Sequence, residues 1–218
     1  MFLDCMTKKV IKETLQSSLD IYTNMMLKRA LSHFTLGETA SLVVDRPNMF
    51  YTFKKLGFYW DPEVIFNVLR SSVILKSIYW FTGLSDAPDN QLVSRECDIL
   101  RRHGVRVITK PSTKKETRVL PDGRVEERFT ANMDTEICCT TLMECDKVDN
   151  IILASGDGDF VPLFKAIRSR GQRTTLLSST FVHKNEGRTL SKSLRDHADI
   201  FIDLNCFKGV VRRIELAA

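Results

Sequence analysis

The chain predicts an α/β domain in three layers, with a mainly parallel central sheet between two sets of helices, and three observations carry that expectation. From Ser41 onward, short apolar runs alternate with amphipathic helical periods, the pattern of successive strand-helix-strand units. The run Ile151-Ile152-Leu153-Ala154 has no polar member, as expected of a parallel strand covered on both faces. Acids follow two of the runs, Asp45 after the first and Asp157 with Asp159 after the fourth, where an α/β sheet presents its ligands.

Taken in order, residues 1–40 form an N-terminal extension. Ile11, Leu15, Leu19, Tyr22, Met26 and Ala30 recur at spacings of four, four, three, four and four, which predicts an amphipathic helix ending before Gly37. That helix either packs on the main domain or serves as a contact for a second copy (a homodimer) or a protein partner. Residues 41–206 make up the α/β domain. Its strands are expected at 42–44, 77–81, 105–109, 151–154, 174–177 and 200–202. Its helices are expected at 48–56, 62–70, 90–102, 134–145 and 160–170. Pro162 suits a first helical turn, where its missing N–H is no loss, and Gly171 follows a basic last turn containing Arg168 and Arg170. Between 114 and 128 the alternation breaks into a basic hairpin insertion, with Pro121-Asp122-Gly123 as its turn. The segment 180–193 reads as a loop overhanging the acidic edge, and residues 207–218 as a tail.

At 218 residues the chain fits one domain with a sizeable core. Its apolar runs fall short of the eighteen or so residues a membrane helix needs, so no membrane role is expected. Asp4, Glu13 and Asp20 argue against a secretory or transit segment. Cys5, Cys97, Cys138, Cys139, Cys145 and Cys206 lack the C-x-x-C spacing of zinc sites and read as reduced, mostly buried thiols. The expected location is cytoplasmic. The formal charge of +5 is a mild excess, but its distribution is uneven. Arg101, Arg102, His103, Arg106 and Lys110 form one basic cluster, Lys114, Lys115 and Arg118 a second, and Lys165, Arg168, Arg170 and Arg173 a third. Such patches fit a polyanionic partner, although solvated surface charge is the commoner reason for any one of them.

The run Ser155-Gly156-Asp157-Gly158-Asp159-Phe160 lacks the lysine and spacing of a phosphate loop, and its acids would repel a phosphate. Two readings of those acids stand side by side: Asp159 caps the following helix and Asp157 the turn, or both are ligands. Asp45, with Asn48 three residues on, and Asp134 at a helix start favour the second. Parallel strands bring their carboxyl ends to one edge, so Asp45, Asp134, Asp157 and Asp159 are expected to share a pocket. Carboxylates that close repel, and a hard cation such as Mg²⁺ resolves the conflict through oxygen ligands. The chemistry such an ion supports on a phosphodiester is hydrolysis.

Asp45 to Asn48, Asp134, the run Ser155-Gly156-Asp157-Gly158-Asp159-Phe160-Val161-Pro162-Leu163 and the closing Ala198-Asp199-Ile200-Phe201-Ile202-Asp203-Leu204 resemble the NYN domain, in its LabA-like branch, within the PIN-like nuclease superfamily. The resemblance spans about 41–204. It implies a Rossmann-like, PIN-like sheet, an acidic Mg²⁺ or Mn²⁺ site and endoribonuclease activity on RNA. Carried over by position, Asp45, Asp134, Asp157 and Asp159 are the catalytic and metal-binding acids. Asn48 and Ser155 support them, and Asp199 and Asp203 are structural. Arg46, Lys114, Lys115, Lys165, Lys184 and Arg188 are the candidate RNA contacts. The chain departs from the family in having Ala131 where a lysine is frequent and Arg46-Pro47 beside the first acid. The alternative is a weak or inactive RNA-binding or assembly subunit that keeps the fold; a phosphatase lacks its aspartyl nucleophile motif.

Overall fold

The structure is a computed structural model and describes residues 24–58, 61–85, 90–119, 125–180, 182–183 and 187–207, with the backbone alone described for 114–119, 125–130, 182–183 and 187–188. Ile11, Leu15, Leu19 and Tyr22, the turn Pro121-Asp122-Gly123, Lys184 and residues 208–218 lie outside the described residues.

A six-stranded parallel sheet forms the centre, built from β1 (Thr39–Asp45), β2 (Ile74–Leu84), β3 (Arg106–Pro111), β6 (Asn150–Ala154), β7 (Arg173–Ser178) and β10 (Ile200–Asp203). The spatial order is β10-β7-β6-β1-β2-β3, with every adjacent pair parallel. The chain therefore winds outward from β1 in one direction, returns to β6 on the other side of β1, and winds outward the opposite way. That reversal leaves a crevice between the carboxyl ends of β1 and β6, where ligands bind open α/β sheets.

Two apolar layers follow from the alternation of side chains along each strand. Leu42, Val44, Ile152 and Ala154 face one layer, packed with Met49, Phe53, Phe66, Leu69 and Leu100. These come from α2 (Arg46–Leu56), α3 (Pro62–Arg70) and α4 (Asn90–Arg102). Val43, Ile151 and Leu153 face the other, packed with Ile137, Leu163, Phe164, Ile167 and Leu194. These come from α5 (Asp134–Glu144), α6 (Val161–Ser169) and α7 (Lys192–His197). The fold is thus the expected three-layer α/β, PIN-like arrangement.

Some details differ from the sequence reading. The helical residues 24–31, α1 here, pack on the first layer through Leu27 and, just beyond, Phe34, with Ala30 and Leu31 beside them, while Met26 is left exposed with Met25. The buried or partly buried positions 27, 30, 31 and 34 follow the i, i+3, i+4, i+7 rule on a face that keeps Ala30 of the expected stripe but not Met26. The segment expected to be a loop at 180–193 contains the start of α7 and a two-stranded ribbon, β8 (Val182–His183) with β9 (Gly187–Arg188). Six residues of helix carry too little periodicity to be read from sequence. Within the segment read as a basic insertion, β4 (Thr113–Val119) pairs antiparallel with β5 (Val125–Thr130). Cys97, Cys145 and Cys206 are buried and Cys139 is exposed, all unbridged. Among the described residues no helix is long and apolar enough to cross a membrane.

Candidate active site

Asp45 is the last residue of β1 and caps α2. Its Oδ2 accepts from Ser155 Oγ at 2.8 Å, and its Oδ1 accepts a longer bond from Asn48 N at 3.4 Å. Ser155 leaves β6 fully buried, and its Oγ also accepts from Asp157 N at 3.2 Å. Asn48 closes the network from α2, its Oδ1 accepting from Gly156 N at 2.9 Å. The two supporting residues expected from the sequence thus tie the end of β1 to the turn after β6, across the crevice.

That turn is held tightly. Gly156 O accepts from Ser191 N at 2.8 Å, and a Cβ on Gly156 would fall 1.9 Å from the Thr189 carbonyl oxygen. No larger residue fits there without moving the 189–191 segment. Asp157 Oδ1 accepts from Asp159 N at 3.0 Å, a local Asx-type bond that caps the 3-10 turn Gly158–Phe160. The capping roles therefore differ from one of the two sequence readings. Asp157 caps the turn, but α6 has Phe160 at its N-cap with no side-chain bond, so Asp159 does not cap that helix.

Asp134 opens α5, where Asn132 Nδ2 donates to its Oδ2 at 2.8 Å and Asn132 Oδ1 accepts from its N–H at 2.9 Å. One oxygen each of Asp134, Asp157 and Asp159 lies within 4.8 Å of the others. Asp45 is not part of that trio but stands close enough to feel the charges of Asp134 and Asp157. Burial pushes its carboxyl up to about 6, with the two acids adding to the rise and the Ser155 and Asn48 bonds opposing it. Burial also raises Asp134, opposed by Asn132 and reinforced by Asp157, Asp159 and Glu136. Among the described residues no lysine or arginine pairs with any of the four acids. Three carboxylate oxygens at this spacing, with a fourth acid behind them, suit a hard divalent cation such as Mg²⁺ or Mn²⁺.

The basic residues are placed less simply. Arg46 turns away from its neighbour Asp45: its Nε donates to Glu96 Oε2 at 3.1 Å, and its guanidinium lies 4.7 Å from the Phe50 ring centroid. There it lines a separate cleft of about 740 Å³ between α2, α3 and α4, which none of the four acids reaches. Lys165 is exposed on α6. Lys114 and Lys115 lie on β4 and Arg188 on β9, with their side chains outside the described residues. Much of the first and third basic clusters is engaged within the fold. Arg101 pairs with Asp98, Arg106 with Glu144, Arg168 with Asp199 and Arg173 with Glu38.

Two contributors escaped the sequence reading, Asn132 and Lys110. Lys110 Nζ donates to Glu136 Oε1 at 2.7 Å and to the Asn132 carbonyl at 3.2 Å, bringing a cation to the loop before α5. Ala131 packs against Gly83, whose added Cβ would come 2.7 Å from it.

The chain is similar to known proteins in sequence and in fold. The family model described as the NYN domain matches residues 39–205. The Low amplitude and bright protein LabA of Synechococcus elongatus is 32% identical over 179 residues, covering 80% of this chain and 88% of that protein. The crystal structure of a protein of unknown function from Vibrio parahaemolyticus RIMD 2210633 shares the fold, with a TM-score of 0.60 at 24% identity over 80% of this chain and 96% of that one.

Proposed function

Because the chain belongs to the NYN domain family, within the PIN-like nucleases, we propose that it is a metal-dependent endoribonuclease acting at the carboxyl edge of its sheet. The observation that carries this reading is the meeting of Asp134, Asp157 and Asp159 within 4.8 Å at the winding reversal, with the desolvated Asp45 behind them. Such a cluster is unfavourable until a cation offsets its charge.

Asp134, Asp157 and Asp159 would hold the ion, and Asp45 would join them directly or through water. A divalent ion so held supplies a Lewis acid for the phosphodiester and favours deprotonation of the attacking water. The remaining work belongs to the chain. Ser155 and Asn48 fix the Asp45 carboxylate and lock the acidic turn in place, so that the oxygens need little rearrangement when charge develops. Exposed Lys165, the hairpin lysines Lys114 and Lys115, and Lys184 and Arg188 are the proposed contacts for RNA phosphates.

The test is cleavage of labelled single-stranded RNA by purified protein with Mn²⁺, with and without EDTA. Asp157→Asn removes a ligand charge at constant shape and should cut the rate at least a hundredfold. Cleavage that survives both the substitution and chelation would overturn the mechanism.

A further inference from the structure

The basic hairpin is inserted between β3 and α5, and its two ends stand side by side at Lys110-Pro111-Ser112 and Thr130-Ala131-Asn132. Lys110 spans that base. One ammonium group donates both to the Asn132 carbonyl, at 3.2 Å, and to Glu136 Oε1 in the first turn of α5, at 2.7 Å. Asn132 in turn grips Asp134 at two points, side chain to side chain and side chain to backbone. Glu136 is partly shielded, its other oxygen buried and without a hydrogen-bond partner among the described residues, and the Lys110 bond is the main cause that holds its carboxyl below the usual range. On the far side Ala131 is wedged against Gly83, and Ser112 N donates to Leu84 O. The loop that presents Asp134 is thus clamped from β2 on one side and from Lys110 on the other.

We infer that Lys110 is a positioning residue for the acid Asp134, acting through the Asn132 carbonyl and Glu136 to hold the α5 terminus in place. The role rests on the metal-dependent reading of the site given above, and it assigns Lys110 no contact with substrate or ion. Without the clamp, Asn132 loses its tie to α5, and the Asp134 oxygens lose their fixed distance to Asp157 and Asp159. Outer residues that orient metal ligands typically contribute ten- to a hundredfold to metal affinity.

The experiment measures Mn²⁺ affinity of the full chain by the electron paramagnetic resonance signal of the free ion, and amide hydrogen exchange across 130–136, in wild type, Lys110→Met, Lys110→Arg, Glu136→Gln and Asp157→Asn. Lys110→Met should weaken Mn²⁺ binding about tenfold and speed exchange at the Asp134 amide, with exchange in β6 and β7 unchanged. Lys110→Arg keeps a donor cation and should restore both readouts to within about threefold of wild type. Glu136→Gln should fall between them, and decides the matter should Lys110→Met not fold. Unchanged affinity and exchange in Lys110→Met, or equal loss in Lys110→Arg, overturns the inference. Equal Mn²⁺ binding by wild type and Asp157→Asn overturns instead the metal reading, and the exchange rates then judge Lys110 on their own.

Discussion

Carboxylates stand at both ends of the parallel sheet, and the protein treats them in opposite ways. At the amino edge Glu38 is buried, and its carboxylate accepts from four donors. Arg173 Nη1 reaches it at 2.9 Å, Asn150 Nδ2 at 2.7 Å, and the Thr35 N–H and hydroxyl at 2.7 and 3.0 Å. Asp149 accepts from the N–H and hydroxyl of Thr39, and Asp199 repeats the device on Thr174, so a carboxylate before one strand staples the start of the next. The Thr39 bonds hold Asp149 below the usual carboxylate range. At the carboxyl edge, by contrast, burial and like charges push Asp45 and Asp134 up. An acid met by donors alone belongs to the architecture; acids gathered against one another, even where a hydroxyl or an amide donates to one of them, mark a place for a ligand.

That contrast can be broken at either end. The largest effect should come from Glu38→Ala, which leaves the buried Asn150 amide without its acceptor and the partly exposed Arg173 with the His33 carbonyl, and should cost about 3 kcal/mol or more in urea denaturation. A loss below about 1 kcal/mol would show that the amino edge does not depend on the buried acid. Next, Mn²⁺ at a hundred times its Kd should stabilise wild type by about 2.7 kcal/mol, and Asp157→Asn by far less; equal gains would put the ion elsewhere.

Asp45→Asn should stabilise the protein in EDTA at pH 7, by about 1–3 kcal/mol, because the native carboxyl titrates near 6 against an ordinary 3.8. The native state then binds the proton more tightly than the unfolded chain. The penalty is present above pH 6 and fades as pH falls through 6 toward 4. The gain from Asp45→Asn should disappear over the same window, and a constant gain across it would assign the effect to something other than charge. Smallest of the four, Thr174→Val removes the hydroxyl that donates to Asp199 Oδ2 and accepts from the Asp199 N–H, which keeps the Thr174 carbonyl as acceptor, and should cost about 1 kcal/mol, equal in EDTA and Mn²⁺. Dependence on the ion would link the two edges.

The sequence already exposed the carboxyl edge more fully than the amino one. Asp45, Asp157 and Asp159 close apolar runs and Asp134 opens a helical period, so strand polarity alone brings them to one side. The helices at 62–70 and 90–102 agree with α3 and α4 residue for residue, because Pro62 and the basic ends Arg70 and Arg102 punctuate them. Glu38 gave no such signal, since its donors Asn150 and Arg173 lie 112 and 135 residues away. Arg46 was misleading for the same reason: its neighbour in sequence is Asp45, yet its partner Glu96 lies fifty residues on. Lys110 read as one cation in a basic cluster until its tie to Asn132 appeared. Patterns local to a strand or helix are legible in a single sequence; polar partners chosen across the fold are not.

The tie between Gly156 and the 189–191 segment also has a consequence for the order in which the chain is made. All four acids have been synthesised by residue 159, yet the acidic turn is braced by Ser191, and β10, which completes the sheet, ends at Asp203. A nascent chain halted near residue 180 carries the full set of carboxylates without the brace that holds two of them in place. The site is therefore finished among the last parts of the domain to emerge.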